Sequence, residues 1–166
     1  IALRIPGWTP NATVKVNGET MQGVASGEYY VINRQWNAGD EITLTMEMPA
    51  HLVSLNQSVA IERGPIVYAR DSRFDDGFVD EVVTIPNKDG IIQMKTEENG
   101  KDMWITVSVP MVRGTYNDAS TDTRHIRLCD FASAGSTWDE RIRYRVWLPK
   151  LYTPDNPKSG QFQGYW

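Results

Sequence analysis

Carboxylates and indoles are the side chains of this sequence with the clearest chemical potential. Asp71, Asp75 and Asp76 lie in one polar stretch that ends at Gly77, a residue free to close a tight turn. Oxygen ligands grouped in this way suit calcium, although their spacing fits no EF-hand loop; the same residues also make an ordinary solvated acidic turn. Glycoside hydrolysis asks for two carboxylates facing each other across a sugar. Asp75-Asp76 and Asp80-Glu81 are instead sequence neighbours, which diverge on a loop or strand. Cys129 is the single cysteine, where a zinc site needs three or four ligands, so it reads as a small hydrophobe in a strand. His51 and His125 fall in separate halves, and neither has a visible partner that would make it a general base.

The chain holds six tryptophans in 166 residues. An exposed indole stacks on the flat face of a sugar, whereas a buried one anchors a core. Trp8, after Pro-Gly, and Trp36, before a Gly-Asp turn, read as packing residues. Trp104 and Trp147 each stand opposite the aliphatic stripe of their strands, so they are either exposed or covered by another domain. Arg143 and Arg145 share the face of Trp147, which suggests a cation–π pair or a domain contact. Trp138, in a loop, is the best single candidate for a carbohydrate contact. The carbohydrate-binding candidates are therefore Trp138, Trp104 and Trp147.

Composition narrows the function classes. Seventeen Lys and Arg against 21 Asp and Glu leave a net charge of -4, which gives no reason to expect a nucleic-acid partner. The 40% hydrophobic content is ordinary for a globular protein. No apolar run approaches the roughly 20 residues of a membrane helix, and nothing at the start resembles a signal peptide. The first residues, Ile1-Ala2-Leu3-Arg4-Ile5, are already strand-like, as expected of a piece of a longer protein. Asn11-Ala12-Thr13 and Asn56-Gln57-Ser58 fit the glycosylation sequon, which matters only in a eukaryotic secretory setting. No cofactor is implied.

The elements that would position these residues are strands. Thr13 to Val16 alternates polar and apolar and runs into Asn17-Gly18, whose residues tolerate the positive φ of a type I′ turn. Residues 28–34 form the next strand. In 41–48, Ile42, Leu44, Met46 and Met48 share one face and the polar residues share the other. The stretch 60–69, broken at Gly64-Pro65, reads as a kinked strand joining two β-rich halves. Residues 71–77 form a polar break, and the boundary between halves is placed there. Beyond it, strands are expected at 79–85, 103–109, 124–131 and 142–148, with turns at 87–90 and Asn99-Gly100 and a loop over 112–123. Residues 151–166 read as an extended tail. No segment shows a helical period. The chain is therefore all-β, most simply two consecutive small β-sandwich, jelly-roll-like domains over 1–70 and 71–150.

Several short motifs carry a resemblance. Leu3-Arg4-Ile5-Pro6-Gly7-Trp8, Val16-Asn17-Gly18, Trp36-Asn37-Ala38-Gly39-Asp40 and Glu62-Arg63-Gly64-Pro65-Ile66-Val67-Tyr68 resemble the C-terminal β-sandwich region of β-L-arabinofuranosidase-type glycoside hydrolases, family 127. Beyond Tyr68 the resemblance rests chiefly on Arg143-Tyr144-Arg145-Val146-Trp147-Leu148-Pro149. Family members carry more strand sequence ahead of the Ile-Pro-Gly-Trp motif, so the first sandwich is expected to be incomplete or closed by other parts of this chain. The resemblance implies that hydrolysis is performed by a glutamate and a zinc-held cysteine cluster in a helical barrel, and none of those positions lies here. It also implies a secreted or periplasmic parent enzyme. Two roles follow: a non-catalytic scaffold partnered by the catalytic barrel of the parent chain, or a carbohydrate-binding module for plant glycans. The specific matches are turn and core residues, which favours the scaffold.

Overall fold

The structure is a computed structural model, and it describes residues 1–100, 102–112 and 123–150. The tail expected over 151–166, most of the loop expected over 112–123, and Trp166 lie outside the described residues. The described chain is all-β apart from a single 3₁₀ turn, Ser72–Phe74. It divides into two compact units, Ile1–Pro49 and a second that begins at Ala50.

The first unit is a small sandwich. Strands β1 (Ala2–Arg4) and β4 (Tyr29–Val31) pair antiparallel in one sheet; β3 (Glu19–Thr20), β2 (Ala12–Val16) and β5 (Ile42–Met46) make the other. The inward faces meet in a core of Ile5, Val14, Val16 and Ile32, with Leu3, Tyr30, Trp36, Ile42 and Leu44 packed against it. The expected hairpin is present: Val16 pairs with Glu19 around Asn17 and Gly18, whose φ values of 50° and 84° are those a type I′ turn needs. The Asn17 side chain also bonds Asp40 (2.7 Å) and accepts from the Glu41 amide (2.8 Å), tying that turn to the next one. Trp36 packs as expected, with the Arg34 guanidinium 5.1 Å above its ring.

The second unit is one long sheet curled around its own core. Its order is β11 (Lys95–Thr96), β12 (Thr106–Val112), β13 (Thr123–Asp130), β8 (Ile66–Asp71), β7 (Ser58–Arg63), β6 (Ala50–Leu55), β10 (Ile91–Ile92), β9 (Asn87–Lys88). Side chains from widely separated strands, such as Ile92, Ile61, Tyr68, Val107, Val109 and Leu128, share one core. That sharing is what the curl accomplishes, because a flat sheet would expose one of its faces.

Two sequence expectations change here. Gly64-Pro65 is a tight hairpin turn, with Arg63 paired to Ile66 across it. The φ of 60° at Gly64, followed by proline, is the pattern of a type II′ turn, which matches the twist of paired strands. The division between units therefore falls at Pro49, ahead of this hairpin, and not within 71–77. Strand β8 is held between β7 and β13, so residues 66–71 are interior to the second unit.

The last strand is also not continuous. The β7–β8 hairpin separates beyond the Ile61–Tyr68 pair, and the chain returning from 144 fills the gap. There β14 (Tyr144–Arg145) pairs with Asp71 and Arg70, and β15 (Leu148–Pro149) pairs with Val59 and Ser58. Residues 79–85 bury Val79, Val83 and Ile85 but make only isolated bridges, Val83 to Lys150 and Thr84 to Val112.

Candidate functional site

The polar residues between β8 and β9 converge with β13 on a charge network. Arg70, at the end of β8, is 1% exposed and reaches Asp76 (3.3 Å) and Glu81 (3.4 Å). Arg124 also bonds Glu81, and its Nη1 donates to the Asp76 carbonyl at 3.2 Å. Asp76 accepts in addition from the Arg127 amide at 2.6 Å. Gly77 sits against this network at φ 125°, where a Cβ would lie 2.9 Å from a Glu81 carboxylate oxygen. Sequence reading assigned that glycine to a tight turn; the charge network adds a second reason for it.

Asp71 is the centre of a second arrangement. It is buried, forms a two-pronged ion pair with Arg73 (2.9 and 2.8 Å), and accepts from the Gly135 amide at 2.8 Å. Burial pushes its carboxyl upward, but the Arg73 side chain together with the Gly135 and Arg73 amides outweighs that and holds it below the usual range. Arg73 goes on to the Ser133 carbonyl (2.7 Å). Asp130 organises the same loop, accepting from the Ser133 amide and hydroxyl and from the Ile105 amide.

Calcium is the sharper expectation for Asp71, Asp75 and Asp76, and the structure pairs two of these carboxylates, Asp71 and Asp76, with arginines. Asp71 faces Arg73, Asp76 faces Arg70 and Arg127, and Asp75 adopts a left-handed backbone that closes the 3₁₀ turn on the Ser72 carbonyl. Among the described residues, no three His, Cys, Asp or Glu side chains are grouped to hold a metal ion.

The described tryptophans are exposed to different degrees. Trp138 is fully exposed in the loop before β14. Trp104 is 78% exposed, and its backbone is fixed at both ends: its amide donates to the Ser133 hydroxyl (3.0 Å) and its carbonyl accepts from Asn99 (2.6 Å). The loop carrying Ser133 continues to Trp138, so these two tryptophans flank one loop. Trp147 is 39% exposed, between β14 and β15. The cation–π pair expected there is replaced: Arg145 forms an ion pair with Asp80 at 2.5 Å. The described arginine–aromatic stacks are Arg34 on Trp36 and Arg127 on Phe74.

A cleft of about 590 Å³ is lined by residues that include Arg73, Phe74, Glu97, Asn99, Met103 and Arg127. Sequence reading did not find it, because its walls come from the 3₁₀ turn, the 97–106 loop and β13. Asn99-Gly100 was the available signal. The Asn99 side chain spans the loop, accepting from the Thr106 amide (3.2 Å) while donating to Trp104, and the Gly100 amide donates to the Thr106 hydroxyl.

A general acid at a glycosidic bond needs a carboxyl held above its usual range. Among the described residues, the carboxyls that their surroundings move, Asp40, Asp71, Glu97 and Asp139, all move down, Asp139 to about 2 through its Arg141 hydrogen bond. Cys129 is fully buried, and desolvation, reinforced by Asp71, pushes its thiol up to about 12. His51 makes a 3.6 Å cross-strand contact with Glu62, and His125 is exposed on β13.

The all-β sandwich-like fold sets the class, and comparison with known proteins sharpens it. Residues 1–48 match the family model described as beta-L-arabinofuranosidase, GH127 middle domain. Among solved structures, the chain is similar to a GH127 β-L-arabinofuranosidase from Geobacillus stearothermophilus: 25% identity, TM-score 0.65, covering 90% of this chain and 26% of that one. A second GH127 β-arabinofuranosidase is 23% identical with a TM-score of 0.62, covering 90% of this chain and 24% of that chain. A structure described as a glycoside hydrolase is 21% identical with a TM-score of 0.59, covering 91% of this chain and 27% of that one. The chain thus spans about a quarter of the length of the enzymes it resembles. No curated protein matches the sequence.

Proposed function

We propose that this chain is a non-catalytic accessory region of an arabinofuranosidase-like glycoside hydrolase, packing against and stabilising a catalytic helical barrel carried elsewhere in a secreted or periplasmic parent protein. The observation that carries this reading is the likeness in fold, over nine-tenths of the chain, to a part of enzymes of that kind. The carboxylates support it: the charge network spends Asp71, Asp76 and Glu81 on arginines, which leaves them to hold structure. Exposed large apolar side chains, Phe78, Trp104 and Trp138 among them, supply surface for a partner domain to cover.

The exposure of Trp138 favours a second reading, a carbohydrate-binding module for plant glycans. Calorimetric titration of the chain with arabinose-containing oligosaccharides and plant cell-wall glycans separates the two. Silence from the folded protein is the result the scaffold predicts. Saturable binding that disappears in Trp138→Ala replaces the scaffold with the binding module.

A further inference from the structure

We propose that the groove between the β9–β10 hairpin and β12, where the curled sheet of the second unit does not close, binds an apolar carboxylate. Its anionic end sits on Lys88 and its body rests against Pro86, Ile91 and Pro110. The groove shares no lining residue with the cleft described above, and its ligand lies beyond both roles proposed for the chain.

Two prolines open the groove. Thr84 bridges antiparallel to Val112 at the end of β12, and the Val112 amide donates to the Thr84 carbonyl at 2.8 Å. In an antiparallel ladder the next bonded pair falls two residues along each strand, which here sets Pro86 against Pro110. Neither proline has an N–H to give, so the ladder stops at a single bridge. A groove of about 500 Å³, lined by both prolines, stands in its place, within the roughly 300–1,000 Å³ of small-ligand sites.

The lining selects the ligand. Ile91, Ile92 and the two prolines make the walls mainly apolar, with Ile92 buried at the base and Ile91 exposed at the rim. Among the described lining residues Lys88 is the one charged side chain, and no Asp or Glu stands with it. A cation therefore meets an ammonium and no counter-charge. A sugar needs donors and acceptors around its ring, which proline and isoleucine side chains do not supply. A wholly apolar ligand matches the walls but makes no use of the ammonium. An anion with an apolar body suits both, the usual division of a small-molecule site into apolar walls and a few polar anchors.

The walls are also fixed in advance. Asp89 and Gly90, at φ 53° and 82°, close the β9–β10 hairpin, in which Lys88 pairs with Ile91 and Asn87 with Ile92. The Asn87 carboxamide braces it, donating to the Ile85 carbonyl (3.2 Å) and accepting from the Gly90 amide (3.1 Å). The Leu52 amide donates to the Gly90 carbonyl at 2.8 Å and Ile91 pairs with His51, which ties the hairpin to β6. Opposite, Pro110 pairs with His125 in the β12–β13 ladder. Rigid walls lower the ordering cost of binding.

The test is a ¹H–¹⁵N NMR titration of the 166-residue chain with hydrocinnamate, run beside its neutral amide hydrocinnamamide, the cation phenethylammonium and L-arabinose. Saturable shifts of the amides of Lys88, Ile91, Ile92 and Gln93 are expected with hydrocinnamate. Binding of the amide is expected to be about fivefold weaker, with no saturable shifts there from the cation or the sugar. Lys88→Gln, at an exposed position, weakens hydrocinnamate about fivefold and leaves the affinity for the amide unchanged. Ile91→Ala weakens both. Equal affinity for acid and amide, or a Lys88→Gln chain that binds the acid as tightly as the unchanged one, overturns the role of the carboxylate. Saturable binding of L-arabinose at these amides overturns the ligand class. Hydrocinnamate shifts confined to other residues overturn the location, and a folded spectrum that hydrocinnamate does not move overturns the site.

Discussion

Asp71 shows how much one carboxylate can hold. Its two oxygens join β8, the 3₁₀ turn and the Gly135 loop, and its pairing with Arg73 offsets the cost of burial. Because the folded carboxyl is held below its unfolded value of about 3.9, its contribution to stability is complete above that pH and is lost as pH falls through the lower folded value. Asp71→Ala is expected to cost about 3–5 kcal/mol at neutral pH by urea denaturation, since it leaves Arg73 without its partner. With Asp71→Asn, the stability of the protein should fall less steeply below about pH 4 than in the parent chain, as acid titration followed by fluorescence would record. Cys129 gives a second prediction at this scale. With its thiol pushed up to about 12 and no exposed surface, it should resist an aromatic disulfide reagent at pH 8 in the native protein and react fully once unfolded.

At the level of the element, the joint between β7, β8 and the returning strand is the vulnerable one. Leu148 is the one residue of that strand that reaches the core as a fully buried side chain, and it pairs with Val59 where the β7–β8 hairpin has opened. Leu148→Ala should cost about 2–5 kcal/mol, with amides of 58–59 and 70–71 losing hydrogen-exchange protection before those of β12.

The same joint explains what was readable in the sequence. Turns with a local cause were legible: Asn17-Gly18 closes its hairpin, and Asp89-Gly90 closes the β9–β10 pair, each with both residues at positive φ. Gly64-Pro65 misled because proline suggests a strand edge or bulge, whereas glycine at the first central position defines the hairpin. Residues 142–148 alternate as one strand would, yet they change partner midway, and partner exchange leaves no period in a sequence. The cleft was equally hidden, since Phe74, Asn99 and Arg127 meet only through the fold.

At the scale of the whole chain, two β units are present, and among the described residues Asp71, Asp76 and Glu81 are held by arginines. The arginine-bound Asp71 and Asp76 and the buried Cys129 are residues that hold the fold. In the proposed function the chemistry lies elsewhere in the parent protein, and the likeness of this chain to about a quarter of much longer glycoside hydrolases supports that reading. The most direct measurement is the hydrolysis of p-nitrophenyl β-L-arabinofuranoside by the folded chain alone. The expected rate equals that of buffer across pH 4 to 8. Saturable turnover that is lost when Glu97 or Glu81 is changed to Gln would contradict a non-catalytic role.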